Sequence, residues 1–304
     1  MIGNVIVGQS GGPTAVINSS LAGVYQTARD RGAKKVYGML HGIKGLLDRQ
    51  YVDLSQKIRS AMEIDLLKRT PSSYLGSCRY KLPDVASDKA TFEKIFAILK
   101  ELEIEYFFYI GGNDSMDTIA KLSQYAEEIK SPIRFIGVPK TIDNDLAITD
   151  HTPGFGSAAK FIASTMKEII RDGLVYDYPT VTVVEIMGRN AGWLTAASAL
   201  SKSEDCEGVD LIYLPEKPFN IDMFITRVKE ISASGKSVVI AVSEGIKLPD
   251  GRYVFELGQH ADSVDAFGHK QMSGTASFLA TKLQLELGVK ARAIELSTLQ
   301  RCAA

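Results

Sequence analysis

Apolar positions along this chain fall into two alternating rhythms. Short runs rich in β-branched and aromatic residues read as buried strands at residues 5–7, 36–40, 106–110, 133–138, 180–186, 211–214 and 238–242. Between them lie longer stretches with helical spacing. Phe92, Ile95, Phe96 and Leu99 stand at i, i+3, i+4 and i+7, which predicts a helix over 91–102. Further helices are predicted near 13–31, 116–129, 156–171, 191–201 and 221–233. Buried strands alternating with helices predict an α/β fold of two lobes, each a mostly parallel sheet flanked by helices. Thr152-Pro153-Gly154 interrupts the pattern and suggests a lobe boundary. The lobes would then span 1–154 and 155–298, with a return segment beginning at 299–304.

Three strand ends carry unusual residues. Gly8 to Gly12 contains the pair Gly11-Gly12 at a strand-to-helix turn, where backbone N–H groups and the helix dipole can hold a phosphate. The same pair can also be only a tight turn. It has neither GxGxxG spacing nor a Walker lysine, which disfavours a dinucleotide site or P-loop. Gly111-Gly112-Asn113-Asp114-Ser115 is a second glycine turn leading into a helix. Asn113 and Ser115 can donate to phosphate, while Asp114 can ligate Mg²⁺ or simply cap the helix. Pro139-Lys140-Thr141-Ile142-Asp143-Asn144-Asp145 ends the third strand. One of its carboxylates can take a proton and the other hold a divalent metal, with the lysine neutralising a phosphate. Parallel strands would bring all three segments to one sheet edge, where ligands bind in open α/β folds.

Composition narrows the class. Lys+Arg 35 against Asp+Glu 36 leaves a net charge of −1, which argues against a nucleic-acid or membrane surface. Hydrophobic content of 45% is ordinary for a globular protein, and no apolar run reaches membrane-spanning length. Cys78, Cys206 and Cys302 are scattered and odd in number, which suits a reducing cytoplasm. His41, His151, His260 and His269 are too dispersed for a zinc site. Trp193, after Asn190-Ala191-Gly192, is expected to pack rather than bind a ligand.

Taken in order, Gly76-Ser77-Cys78-Arg79, Gly-Gly-Asn-Asp-Ser, Pro-Lys-Thr-Ile-Asp-Asn-Asp, Met187-Gly188-Arg189 and Ser243-Glu244-Gly245 resemble the motifs of the 6-phosphofructokinase family over essentially the whole chain. The resemblance implies a two-lobed phosphofructokinase-like fold, with a donor-binding first lobe and a sugar-phosphate-binding second lobe. It implies Mg²⁺-dependent transfer to the 1-hydroxyl of fructose 6-phosphate in a homo-oligomer, dimeric or tetrameric. By resemblance, Asp143 is the general base, Lys140, Thr141 and Arg189 complete the catalytic set, and Asp114 and Asp145 organise the metal. Gly12, Arg79, Gly112, Asp114, Ser115 and Lys140 would hold the donor. Thr141, Asp143, Met187, Gly188, Arg189, Glu244, Arg292 and Arg301 would hold the sugar phosphate. These roles suit phosphoryl transfer, which rests on positioning and charge neutralisation.

Asp114 and Lys140 also bear on the donor. ATP-using members of the family generally carry glycine at both positions and tend to have glycine at Thr118. A carboxylate at 114 would oppose a nucleotide's α-phosphate. Like charges about 4 Å apart at an effective dielectric near 20 repel by about 4 kcal/mol. Both residues therefore resemble the pyrophosphate-dependent branch, whose near-reversible reaction serves glycolysis or gluconeogenesis. Rival readings are the same transfer from ATP, a pyrophosphate enzyme acting on sedoheptulose 7-phosphate, and a non-catalytic regulatory subunit. Against the family pattern, Asn113 replaces a common aspartate, Thr180 an arginine reaching a neighbouring subunit, and Thr298 a histidine. Family members continue beyond the point matching Ala304, so return segments are expected to be missing here.

Overall fold

The computed structural model describes residues 3–258 and 272–302; His260 and His269 lie outside them. The chain forms two compact units, one running to Thr141 and the other starting at Ile142. The first unit contains β1 (Asn4–Gln9), α1 (Ile17–Asp30), β2 (Val36–Met39), α2 (Gly42–Leu47), β3 (Tyr51–Asp53), α3 (Leu54–Lys57), α4 (Ala61–Arg69), α5 (Lys89–Glu101), β4 (Ile104–Gly111), α6 (Asn113–Glu128) and β5 (Arg134–Pro139). Its sheet has the order β3-β2-β1-β4-β5. All neighbours are parallel except β3, which runs antiparallel to β2. Alternating side chains of β1 feed two cores. Ile6 packs with Phe92, Ile95, Phe96 and Leu99, the stripe that the spacing predicts for α5. Val5 and Val7 pack with Ile17 and Leu21 of α1. Both sheet faces are thus covered, as a parallel sheet requires.

The second unit contains α7 (Phe155–Gly173), β6 (Thr180–Ile186), α8 (Trp193–Ala196), β7 (Leu211–Tyr213), α9 (Ile221–Ser232), β8 (Val238–Ser243), α10 (Thr275–Leu287), β9 (Lys290–Glu295) and α11 (Leu299–Cys302). Its four strands among the described residues are all parallel in the order β7-β8-β6-β9.

Four local differences from the sequence reading stand out. The helix predicted over 191–201 breaks after Ala196 into a 3₁₀ turn, Ala197–Ser201. There Ser198 Oγ donates to Thr195 O and Ser201 Oγ to Ser198 O, at 2.6 and 2.7 Å, and such i−3 bonds tighten the coil. Trp193, at the first position of α8, remains 57% exposed instead of packing. The periodicity missed β9 because Lys290 and Arg292 interrupt its apolar residues. Its place at the sheet edge is where such charges are tolerated. The division between units falls before the Pro-Gly interruption, because residues 142–154 pack against elements of the second unit. Ile142 is buried beside Ile162, Ile186 and Leu194, and the Gly154 carbonyl accepts from Ala158 N in the first turn of α7.

Candidate functional site

In the first unit, β1 is flanked by β2 on one side and β4 on the other, which makes the carboxyl ends of β1 and β4 a topological switch point. The turns there are stitched together: Ser10 N donates to Ile110 O and Lys140 N to Gly111 O, each at 2.9 Å. A side-chain carbon on Gly11 would lie 3.6 Å from Lys140 Nζ, and one on Gly112 would lie 3.9 Å from it. The buried lysine therefore brings its ammonium over both glycine turns. Gly112 is the N-cap of α6 and no side chain caps that end. Asp114 is not the cap; it sits exposed in the first turn beside exposed Asn113, while Ser115 is buried. Thr118 Oγ1 donates to Asp114 O at 2.9 Å, so its hydroxyl is engaged by the helix backbone.

The segment bearing Arg79 is fastened to the same edge. Ser77 Oγ donates to Gly11 O at 2.6 Å, Ser10 Oγ to Cys78 O at 3.1 Å, and Gly11 N to Cys78 O at 3.4 Å. Arg79 is exposed and Gly12 half-buried. Beneath them lies a polar pair that the sequence reading passed over. Fully buried Gln9 and Asn18 join Nε2 to Oδ1 at 2.9 Å. Gln9 Oε1 accepts from Leu75 N, Asn18 Oδ1 from Tyr74 N, and Asn18 Nδ2 donates to Thr70 O. The available signal was an amide closing an otherwise apolar strand directly before a glycine turn.

In the second unit, Asn144 at φ 58° folds the loop that follows Thr141. Its Oδ1 accepts from Thr152 N at 2.9 Å and its Nδ2 donates to Asp150 O at 3.0 Å. The flanking Asp143 is half-buried and Asp145 exposed. Thus Gly12, Arg79, Gly112, Asp114, Ser115, Lys140 and Thr141 belong to the first unit, and Asp143 and Asp145 to the second.

Glu244 closes β8 and is buried. Its Oε1 accepts from Gly188 N at 3.2 Å and Arg189 N at 3.0 Å, so one carboxylate gathers the turn after β6. Two glycines make that approach possible. Gly188 has φ 145°, and a side chain there would run into Ala191 O; a side-chain carbon on Gly245 would lie 2.6 Å from the carbonyl carbon of Arg189. Met187-Gly188-Arg189 and Ser243-Glu244-Gly245 are therefore two halves of one packed turn. Burial raises the Glu244 carboxyl to about 7, Asp143 adds to the rise, and the Arg189 and Gly188 N–H groups oppose it.

The same edge gathers Gln300, another residue without an assigned role in the sequence reading. Buried Gln300 accepts from Met187 N through Oε1 at 3.2 Å and donates through Nε2 to Ser297 O at 3.0 Å. Arg301 follows it, half-buried, and its Nε is shielded from solvent without a hydrogen-bond partner among the described residues. Arg292 stands apart. It pairs in register with Thr182, upstream of the strand end, donates to Thr182 Oγ1 at 3.0 Å, and forms an ion pair with Asp172.

No group of three or more His, Cys, Asp or Glu suited to a metal occurs among the described residues. Mg²⁺ is commonly held by one or two carboxylates with substrate phosphates and water, and Asp114 in the first unit and Asp145 in the second are each exposed carboxylates of that chemistry. Two cavities of the second unit, about 510 and 580 Å³, are lined by none of the predicted site residues. The larger opens at the amino ends of β7 and β8, beside Asp210, Lys236 and Ser237, opposite the edge that carries Glu244. No helix among the described residues is long and apolar enough to cross a membrane.

The phosphofructokinase family model matches residues 4–296. The pyrophosphate–fructose 6-phosphate 1-phosphotransferase of Xanthomonas campestris pv. campestris is 43% identical over 290 residues, 95% of this chain and 68% of that protein. The enzyme of the same name from Rhodospirillum rubrum is 43% identical over 304 residues, 98% of this chain and 73% of its own. The crystal structure of a pyrophosphate-dependent phosphofructokinase from Nitrosospira multiformis superposes with a TM-score of 0.82 at 37% identity, covering 99% of this chain and 70% of that one. With glycine turns, lysine, paired aspartates and the Glu244 turn all present within the matched span, the chain belongs to the phosphofructokinase family.

Proposed function

We propose that this chain transfers a phosphoryl group from pyrophosphate to the 1-hydroxyl of fructose 6-phosphate, giving fructose 1,6-bisphosphate and phosphate, the reaction for which its relatives are named. The observation that carries the donor assignment is the Lys140 ammonium lying against Gly11 and Gly112 at the switch point, with Asp114 in the first turn of α6. A compact diphosphate suits this cradle: N–H groups and a cation neutralise its charge, and Asp114 repels the longer polyphosphate chain of a nucleotide. Gly12, Gly112, Ser115 and Arg79 complete the donor set in the first unit.

In the second unit, Met187, Gly188, Arg189, Glu244 and Arg301 receive the sugar phosphate, the arginines taking its phosphate and Glu244 its hydroxyls. Asp143 accepts the proton of the sugar 1-hydroxyl as that oxygen bonds to phosphorus. The bridging P–O bond of pyrophosphate breaks, and the departing phosphate takes up the proton in turn. Thr141 and Lys140 steady the group in transit. Mg²⁺, when bound, would supply charge neutralisation for the diphosphate, and Asp114 of the first unit and Asp145 of the second are the residues that would hold it. The position of Arg292 away from Glu244 supports a homo-oligomer in which that arginine serves a neighbouring copy, and the reaction class fits the cytoplasm.

The test is a donor titration with purified protein and Mg²⁺. Turnover with pyrophosphate far exceeding that with ATP is expected. Strong turnover with ATP and none with pyrophosphate would overturn the donor assignment.

A further inference from the structure

The first turn of α10 makes three consecutive contacts with glutamates at the carboxyl edge of the second sheet. Thr275 Oγ1 donates to the backbone carbonyl of Glu244 at 3.3 Å. Ala276 N donates to Glu185 Oε2 at 2.9 Å. Ser277 Oγ donates to Glu295 Oε1 at 3.3 Å. These glutamates end β8, β6 and β9, and Glu185 stands directly opposite Glu295 in the β6–β9 register. Gly274, the N-cap of α10, brings no side chain to satisfy the helix's leading N–H groups. The Glu185 carboxylate takes that part from the sheet, accepting from Ala276 N in the first turn of α10.

Glu185 is buried, precedes Met187 by two residues, and has no part in the phosphoryl-transfer scheme above. A carboxylate so deeply placed beside two others is costly unless the helix end repays it. We propose that Glu185 is a positioning residue for ketose phosphate binding: its carboxylate anchors the first turn of α10, which through Thr275 holds Glu244 in place beneath the Met187–Arg189 turn. The inference rests on the sugar-phosphate reading of that turn.

The charges around Glu185 give this role a signature that simple packing lacks. Glu295 faces it from β9 and Glu244 from the end of β8, both raising its carboxyl, while the Ala276 and Gly274 N–H groups of α10 lower it. Burial dominates and lifts the group to about 7. Glu244 is likewise raised to about 7, with Asp143 and Arg189 as its other charged neighbours. An ionised Glu185 therefore opposes ionisation of Glu244. A glutamine at 185 removes that charge and leaves Ala276 N only a neutral acceptor, a weaker partner than the carboxylate.

The experiment measures fructose 6-phosphate affinity by titration calorimetry between pH 5.5 and 8.5, and steady-state kinetics, for the wild type, Glu185→Gln and Thr275→Val. For Glu185→Gln the dissociation constant and KM for the sugar phosphate should rise about tenfold while kcat changes less than about threefold. The pH below which affinity is lost should move down by roughly half a unit to one unit, because a like charge facing Glu244 is gone. Thr275→Val, which removes only the bond to Glu244, should raise KM for the sugar phosphate and leave pyrophosphate affinity unchanged. It decides the matter if Glu185→Gln does not fold. A folded Glu185→Gln with wild-type affinity and pH profile, or a Thr275→Val with wild-type KM, overturns the proposal. Absence of fructose 6-phosphate binding by the wild type would instead refute the sugar-phosphate reading on which it rests.

Discussion

Replacing Gly245 with alanine tests the packed turn of the second unit at its tightest point. The added carbon would sit 2.6 Å from the carbonyl carbon of Arg189, nearer still to its oxygen, and both are main-chain atoms. Ordinary contact begins at 3.4 Å and the Arg189 oxygen is the limiting neighbour, so the Met187–Arg189 turn must retreat by much more than about 1 Å. The bonds from Gly188 N and Arg189 N to Glu244, now 3.2 and 3.0 Å, would then exceed hydrogen-bonding range. Each such bond to a charged acceptor contributes about 1.5–3 kcal/mol, and overpacking adds about 1–3 kcal/mol of strain. Even if the loop relaxes enough to recover half of this, roughly 3 kcal/mol is lost, equivalent to about a hundredfold in affinity. Calorimetric titration of Gly245→Ala with fructose 6-phosphate should show that loss, with pyrophosphate affinity within a factor of about three of wild type. A folded variant that binds the sugar phosphate as tightly as wild type would refute the claim that the two motifs form one sterically closed turn.

Asp143→Ser should abolish most turnover while sugar-phosphate affinity changes little; unchanged turnover in stopped assays would remove Asp143 from the role of base. Asn18→Ala leaves Tyr74 N and Thr70 O without their side-chain partner in a buried setting, a cost of about 2–4 kcal/mol. It should lower the melting temperature and weaken pyrophosphate binding without affecting the sugar phosphate; loss of sugar binding alone would contradict the placement. For Glu244, a folded-state value near 7 against an ordinary 4.5 means that the native chain keeps a proton the unfolded chain has released. Its contribution is therefore present below about pH 4.5 and is lost as pH rises to about 7, by at most roughly 3 kcal/mol. Denaturant titrations should show wild type losing stability relative to Glu244→Gln across that window, and parallel curves would be evidence against the raised carboxyl.

Much of the fold was legible because periodicity reports burial directly. The stripe of Phe92, Ile95, Phe96 and Leu99 announces α5, and the run from Thr180 to Ile186 is β6 residue for residue. Among the elements that escaped are some whose residues look polar alone. Lys290 and Arg292 hide an edge strand, and the hydroxyls of Ser198 and Ser201 wind a predicted helix into a 3₁₀ turn. The motifs likewise identified their own segments but not the supports beneath them. Gln9, Asn18, Glu185 and Gln300 had no assigned role, since each acts on backbone groups distant in sequence.

By itself, then, the sequence determined the alternation of strands and helices and the family, and it nominated the residues proposed to carry chemistry. These come from local periods and from motifs whose residues are neighbours along the chain. Only the tertiary structure decided that Lys140 lies over Gly11 and Gly112, that Gly245 exists to admit the backbone of Arg189, and that α10 leans on three glutamates. Those relations depend on the order in which parallel strands assemble and on the last ångström of packing. Neither is written in any single stretch of residues.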